Sequence, residues 1–292
     1  MTGPNLWGKT AIVGIGETDY PALYRGQPGR PVDYALDAME KAIADAGLVK
    51  AQIDGLIVSG LASYEPVMFR AGMENVRFLA HYPLGGRLCP HALAHAAMAV
   101  HHQLADYVLL FNAVGFRSAG QRFGGDMPVA GQRTSPARPS QVVAANDSLY
   151  DSAYGMTSPG AQYALLFSRW LALAGEKEEN LAAIPVSTRA WAAHNRRAIF
   201  QNALTTDDYL DARYIAQPLR IFDYCLVNDG CAAYVVTSRE RAADLPHPPV
   251  LVGSVASRAN VRPYYASEDF WAADVRVWRY TVEKFRDPAT AS

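Results

Sequence analysis

Two short β-branched runs joined through one amphipathic helix constrain this chain more than any other feature. TAIVGIGE, residues 10–17, ends in glycines, and IDGLIVSG, residues 53–60, opens on an Asp-Gly turn. Both read as buried strands. Between them Val32, Leu36, Met39, Ile43 and Leu48 recur at helical spacing, while Asp33, Asp37, Glu40, Lys41 and Asp45 take the other faces. This predicts a helix over 31–48, with Gly47 near its C-terminal stop. Strand, helix and strand in that order form a parallel crossover unit, right-handed by default, so the chain is expected to be an α/β protein.

The first run carries Gly14 and Gly16, the start of a dinucleotide-type GxGxxG, but Asp19 stands where the third glycine belongs. A strand end turning into a loop is the better reading. Beyond the crossover unit, residues 69–78 are expected as a helix and 79–82 as a short strand. A glycine turn, PLGGRL, then feeds the helix 90–104, whose Ala92, Ala94, Ala96, Ala97 and Ala99 allow close packing. The strand 106–114 follows, its apolar run ending in the polar Asn112. A turn entering a helix N-terminus gathers backbone N–H groups and is where α/β proteins place their chemistry. Five of the seven histidines (His81, His91, His95, His101, His102) and Cys89 crowd this stretch.

Residues 115–159 form the largest irregular region, rich in Gly, Pro and Ser with interleaved aromatics. A loop that long inside a compact domain is expected to act as a lid or an interface arm. Helices are predicted over 160–173 and 176–200, a capped turn at 205–209, a turn at Asn228-Asp229-Gly230, strands at 231–238 and 250–257, and a helix over 272–285. Arg189, Trp191, His194, Asn195 and Arg197 read as a solvated face.

The 292 residues carry a formal net charge of −1 with 19% charged residues, which gives no electrostatic case for nucleic acid or an anionic membrane as partner. A small or apolar substrate is expected instead. Three cysteines without metal-type spacing suggest reduced thiols and a cytoplasmic setting, and neither a signal segment nor a membrane-spanning run is read in the sequence. His91 and His95 stand four apart, but HALAH lacks the glutamate of a zinc-protease helix and no third ligand is evident, so no metal is expected. Cys225 and Cys231 read as buried thiols.

AIVGIGET, ADAGL before IDGLIVSG, AAMAV before ADYVLL, and above all PLRIFDYCLVNDGCAAYVVTSRERA resemble thiolases of the sterol-carrier-protein type. The similarity is greater still to the lipid-transfer-protein thiolase-like aldolases of steroid side-chain degradation, and it runs in order along nearly the whole chain. The resemblance implies the thiolase fold, two similar halves in a layered α-β-α-β-α sandwich, usually dimeric. It divides the chain into an N-terminal half (1–114 and 160–257), a loop, lid or interface insertion (115–159) and the opening of a C-terminal half (258–292). The first half is then complete and the second truncated. It also implies that the family's GHP and NEAF-type motifs, second catalytic cysteine and acid–base tyrosines fall in that second half.

Counting back without gaps from Ala105-Asp106 places the thiolase nucleophile at Gly86 rather than Cys89. An acyl-transferring thiolase needs a thiolate at the helix N-terminus, so Cys89, with His91 as a lesser candidate, serves only if the turn is longer than in the family. The favoured expectation is a retro-aldol lyase acting on a β-hydroxyacyl-CoA of a steroid or other apolar acid, with no bound cofactor. The turn at Gly85, Gly86 and Arg87 would contact the substrate and stabilise the enolate oxygen. The resemblance implies an OB-fold partner protein that helps present the CoA ester. The alternatives are an acyltransferase using Cys89 and a non-catalytic thiolase-like subunit.

Overall fold

The structure, a computed structural model, describes residues 6, 8–27, 29–82, 89–120, 159–253 and 255. Its centre is a six-stranded mixed sheet in the order β3-β2-β4-β7-β1-β8. The strands are β1 (Thr10–Glu17), β2 (Gly55–Ser59), β3 (Phe78–Tyr82), β4 (Tyr107–Gly115), β7 (Asp229–Ser238) and β8 (Val250–Leu251). β2 runs parallel to β3 and to β4, while β7 is antiparallel to both of its neighbours, β4 and β1. β1, β2, β3 and β4 therefore all end at the same edge. The expected crossover joins β1 to β2 as parallel strands of one sheet, but β4 and β7 lie between them.

Helix α1 (Tyr20–Arg25) follows β1, and α2 (Pro31–Asp45) lies across one face of the sheet. The alternation of the strands supplies its partners: Ala11, Val13, Leu56, Val58, Leu109, Phe111, Ala113, Ala233 and Val235 meet Ala35, Ala38, Met39, Ala42 and Ile43. Burying Met39 and Ile43 alone contributes roughly 1.5–3 kcal/mol each. The GIG of β1 belongs to this packing. A Cβ on Gly14 would sit 2.3 Å from the Ala42 carbonyl oxygen, and one on Gly16 would sit 2.1 Å from that of Ala38. The glycines let a helix backbone lie directly on a strand.

The opposite face carries α4 (Cys89–His101), whose Ala92, Ala96, Ala99 and Val100 pack on Ile57, Val108, Leu110 and Val236. Two helical layers thus enclose the sheet. A helix does precede β3, but it is α3 (Glu65–Ala71), earlier than the spacing predicts, because Gly72 adopts the left-handed conformation and ends it.

Residues 116–228 connect β4 to β7. Their described part holds α5 (Pro159–Ala174), a 3₁₀ turn (Glu178–Ala182), α6 (Ala183–Ala192), α7 (Thr206–Leu210) and the hairpin β5 (Tyr214–Ala216) and β6 (Leu219–Arg220). These elements share a small core of Ala164, Leu181, Ala182, Tyr209 and Leu219. The predicted helix over 176–200 breaks after Ala192, where the Asn195 side chain accepts the Arg197 amide at 2.9 Å and its carbonyl accepts from Gln201. α7 is capped as its sequence suggests, Thr205 and Asp208 each accepting the other's backbone N–H. Asn228-Asp229-Gly230 is not the expected turn: β7 already begins at Asp229. The buried Asp229 carboxylate fixes a different turn, accepting from the Ser118 amide and hydroxyl and from Tyr34. Helix α8 (Arg239–Ala242) closes the described order before β8. The helix predicted over 272–285 lies outside the described residues.

One buried carboxylate locks the amino ends of the central strands. Asp54 accepts the amides of Asp106 at 2.8 Å and Tyr107 at 2.9 Å, and its other oxygen takes Arg77 at 2.6 Å. Replacing Asp54 with Ala leaves two backbone donors unpaired and is expected to cost about 2–4 kcal/mol. Gly14→Ala is expected to cost about 1–3 kcal/mol through overpacking. Both are read as a fall in the urea midpoint at unchanged m-value.

Candidate active site

Four strand pairings align one rung of residues across the carboxyl edge of the sheet. Tyr82 stands opposite Ser59, Ser59 opposite Asn112, Asn112 opposite Ala232, and Ala232 opposite Glu17. Residues directly opposed share a face, and here it is the α4 face, because Ile57, Leu110 and Val236 lie two or four positions along the same strands. Four strand spacings make the rung about 19 Å long. α4 enters above it at Cys89 and then runs back over the apolar part of the face. The first-turn amides of α4 therefore sit at the polar end, where a helix favours negative charge.

Ser59 is 1% exposed, so its hydroxyl needs a partner, and it donates to Asn112 Oδ1 at 3.1 Å. Gly60 permits this closeness: its φ is +80°, and a Cβ there would meet the Ala113 carbonyl oxygen at 2.2 Å and Asn112 Oδ1 at 3.0 Å. The Ser59 hydroxyl also neighbours the Cys89 thiol. Burial pushes that thiol above its ordinary range, and the nearby hydroxyl only partly opposes the effect. Cys89 thus stands at a helix start in surroundings that disfavour its thiolate.

At the β3 end, the Tyr82 hydroxyl meets His95 Nδ1, with ring centroids 5.7 Å apart. Burial raises the Tyr82 phenol, which stays protonated at neutral pH. His91, one turn before His95, is half-buried in the first turn of α4. His81 faces away and bonds the Leu61 carbonyl at 2.9 Å, while His101 and His102 stack edge to face at the far end of α4. Among the described residues no group of three potential ligands is arranged to hold a metal ion.

At the β1 end, Glu17, Thr18, Asp19, Tyr20, Lys41, Arg196 and Arg197 line a cleft of about 270 Å³. Arg197 pairs with Glu17, and Lys41 bridges Asp37 at 2.7 Å and the Glu17 carbonyl at 3.1 Å. Arg197 is exposed, as the solvated-face reading expects, and also ties its segment to the sheet. Its neighbour Arg189 lies over the Phe200 ring at 5.5 Å.

No family model matches the chain. It is 34% identical over 262 residues to the 17-hydroxy-3-oxo-4-pregnene-20-carboxyl-CoA lyase of Mycobacterium tuberculosis, covering 89% of this chain and 65% of the relative. It is 32% identical over 271 residues to the steroid side-chain-cleaving aldolase of Thermomonospora curvata, covering 90% of this chain and 66% of the relative. Among solved structures it superposes on the Ltp2-ChsH2(DUF35) aldolase with a TM-score of 0.70 and 30% identity, over 85% of this chain and 60% of that one. It also shares its fold with a monomeric SCP2-thiolase like protein type 1 from Mycobacterium smegmatis, at a TM-score of 0.58 and 19% identity, over 82% and 48% of the two chains. The chain belongs to the thiolase superfamily and is similar to its thiolase-like aldolases. It spans about two thirds of the length of the curated relatives it matches.

The thiolase-like fold anticipated from the motifs is the one observed. Of the predicted site residues, Cys89 and His91 both lie in the first turn of α4, at the polar rung. Gly85, Gly86 and Arg87 lie outside the described residues. Ser59 and Tyr82 do not stand out in the sequence, whereas His95, read as a packing or hydrogen-bonding residue rather than a metal ligand, does hydrogen-bond here. Their signals were present nonetheless: a serine closing the apolar IDGLIVSG, and an asparagine inside YVLLFNAV. Cys231 is the inert thiol expected, pushed far up by burial, whereas Cys225 is exposed rather than buried.

The geometry predicts that Cys89 is a poor nucleophile. At pH 8, alkylation by iodoacetamide followed by peptide mass spectrometry should proceed at least tenfold more slowly at Cys89 than at the exposed Cys225 in the same sample.

Proposed function

We propose that this protein is a thiolase-like carbon–carbon lyase that cleaves a β-hydroxyacyl-CoA thioester of a steroid or similarly apolar acid by a retro-aldol reaction. Its similarity to two steroid-cleaving lyases over nine tenths of the chain is the observation that carries the reading, and the burial-raised Cys89 thiol supports it. Acyl transfer needs a thiolate at the α4 N-terminus, and burial at Cys89 works against forming one. Retro-aldol cleavage needs no acyl-enzyme. A base takes the β-hydroxyl proton, the hydroxyl carbon becomes a ketone, and the broken C–C bond leaves its electron pair on the thioester as an enolate. The α-carbon then takes a proton to release a shortened acyl-CoA.

Lys41, Arg196 and Arg197 offer cations suited to the CoA phosphates, in a cleft at the same edge of the sheet as Cys89. No cofactor beyond the CoA carried by the substrate enters the reaction. The likeness to the Ltp2-ChsH2(DUF35) aldolase supports a partner of the ChsH2 type, expected to carry an OB-fold, that helps present the substrate. β3 is an edge strand of the sheet, its outer side unpaired among the described residues, and is the proposed edge for association of two copies. Among those residues no helix is long and apolar enough to cross a membrane. Three unpaired cysteines support action in the reducing cytoplasm.

The Cys89 position favours a second reading, an acyltransferase, and one experiment separates the two. The full-length protein, with its partner where one co-purifies, is given a 17-hydroxysteroid 20-carboxyl-CoA ester and no free CoA. Release of the 17-ketone and a shortened acyl-CoA, retained in Cys89→Ala within about threefold, supports the lyase. Dependence on free CoA, or loss of turnover in Cys89→Ala, overturns it. Arg196→Ala should raise KM for the CoA ester about tenfold and leave kcat unchanged.

A further inference from the structure

The reaction proposed above places negative charge on one atom, the thioester oxygen, and the rung holds a side chain suited to meet it. Asn112 is half-buried on the α4 face, opposite Ser59 and in the same rung as Tyr82. Its Oδ1 accepts the Ser59 hydroxyl at 3.1 Å, so the amide group is held by its acceptor end. Both Nδ2 protons remain, and among the described residues none is donated to a protein acceptor. A primary amide fixed through its oxygen by a 1%-exposed hydroxyl, and closed from behind by Gly60, costs little to reorganise when charge develops before it.

Two further features converge on the same place. Ser59 bonds Asn112 and neighbours Cys89, so the free amide and the first turn of α4 flank one serine. The helix start favours an anion there. Asn112 also interrupts an apolar strand: Leu109, Leu110 and Phe111 precede it and Ala113 follows, all buried, so packing gives no reason for an amide at this position.

We propose that Asn112, oriented by Ser59, is a catalytic residue that donates an Nδ2–H hydrogen bond to the substrate thioester oxygen and stabilises it as it becomes an enolate. No bond to the protein forms. The electron pair from the cleaved C–C bond spreads onto that oxygen and returns to the α-carbon when the carbon is protonated. Ser59 is a positioning residue and does not touch the substrate.

This inference rests on the proposed enolate chemistry, and two readouts on the full-length protein keep their failures apart. The first is kcat for cleavage of the β-hydroxyacyl-CoA. The second is exchange of the α-protons of propionyl-CoA in D2O, which requires an enolate but no cleavable bond. Asn112→Asp keeps an acceptor for Ser59 and nearly the same shape while removing the donor, and Asn112→Ala removes the whole amide. Both should lower kcat and the exchange rate together by about 10²–10³-fold, with propionyl-CoA binding by calorimetry unchanged within about threefold. Ser59→Ala should lose less, about tenfold in both rates. An Asn112→Asp protein that keeps its melting temperature and both rates overturns the inference. Wild-type exchange without cleavage, lost in Asn112→Asp, overturns the lyase and leaves Asn112 in its role. A wild-type protein that neither exchanges nor cleaves overturns both.

Discussion

The Asp54 carboxylate sets the register on which the polar rung depends. It accepts the amides that open β4 from a position one residue before β2, so Gly55 is held opposite Val108 and, four residues later, Ser59 opposite Asn112. Side chains in a strand alternate between faces, and a slip of one residue would turn Asn112 toward α2. The rung would then lose its amide and α2 would acquire a buried polar group. A single buried acid at the amino edge thus governs what is displayed about 13–17 Å away at the carboxyl edge. Arg77, bonded to the same carboxylate, keeps the charge from being isolated inside the fold.

Much of this architecture was legible in the sequence because it follows from periodicity. The apolar spacing of residues 31–48 identified α2, and the β-branched runs identified β1, β2, β4 and most of β7. What the glycines of TAIVGIGE do was less legible, since Gly14 and Gly16 are compatible with a phosphate turn until α2 is seen resting on them. α3 was displaced in the sequence reading because a glycine in the left-handed conformation outranks the apolar residues beyond it. The break after Ala192 was hidden for a related reason: Asn195 ends the helix through a side-chain hydrogen bond that periodicity does not register.

The sequence pointed to one edge of the sheet more clearly than to a chemistry. A helix following a parallel strand directs attention to the carboxyl edge, and Cys89 and His91 lie there. Reactive residue types drew attention first, yet the geometry gives Cys89 a burial-raised thiol and gives the organised hydrogen bonding to a serine and an asparagine on different strands. Such a pair is invisible to spacing, because Ser59 and Asn112 meet only through strand register. Tyr82 and His95, thirteen residues apart, meet only because α4 packs over the end of β3.

In the proposed reaction a carbon–carbon bond is cleaved at a thiolase-type helix start without acylation of the protein. Rapid quenching of the full-length protein during turnover of a β-hydroxyacyl-CoA, followed by intact-protein mass spectrometry, is the decisive measurement. An unmodified mass is expected at every time point while ketone and shortened acyl-CoA accumulate. An acyl adduct that maps to Cys89, and that forms and decays at the rate of turnover, would contradict it.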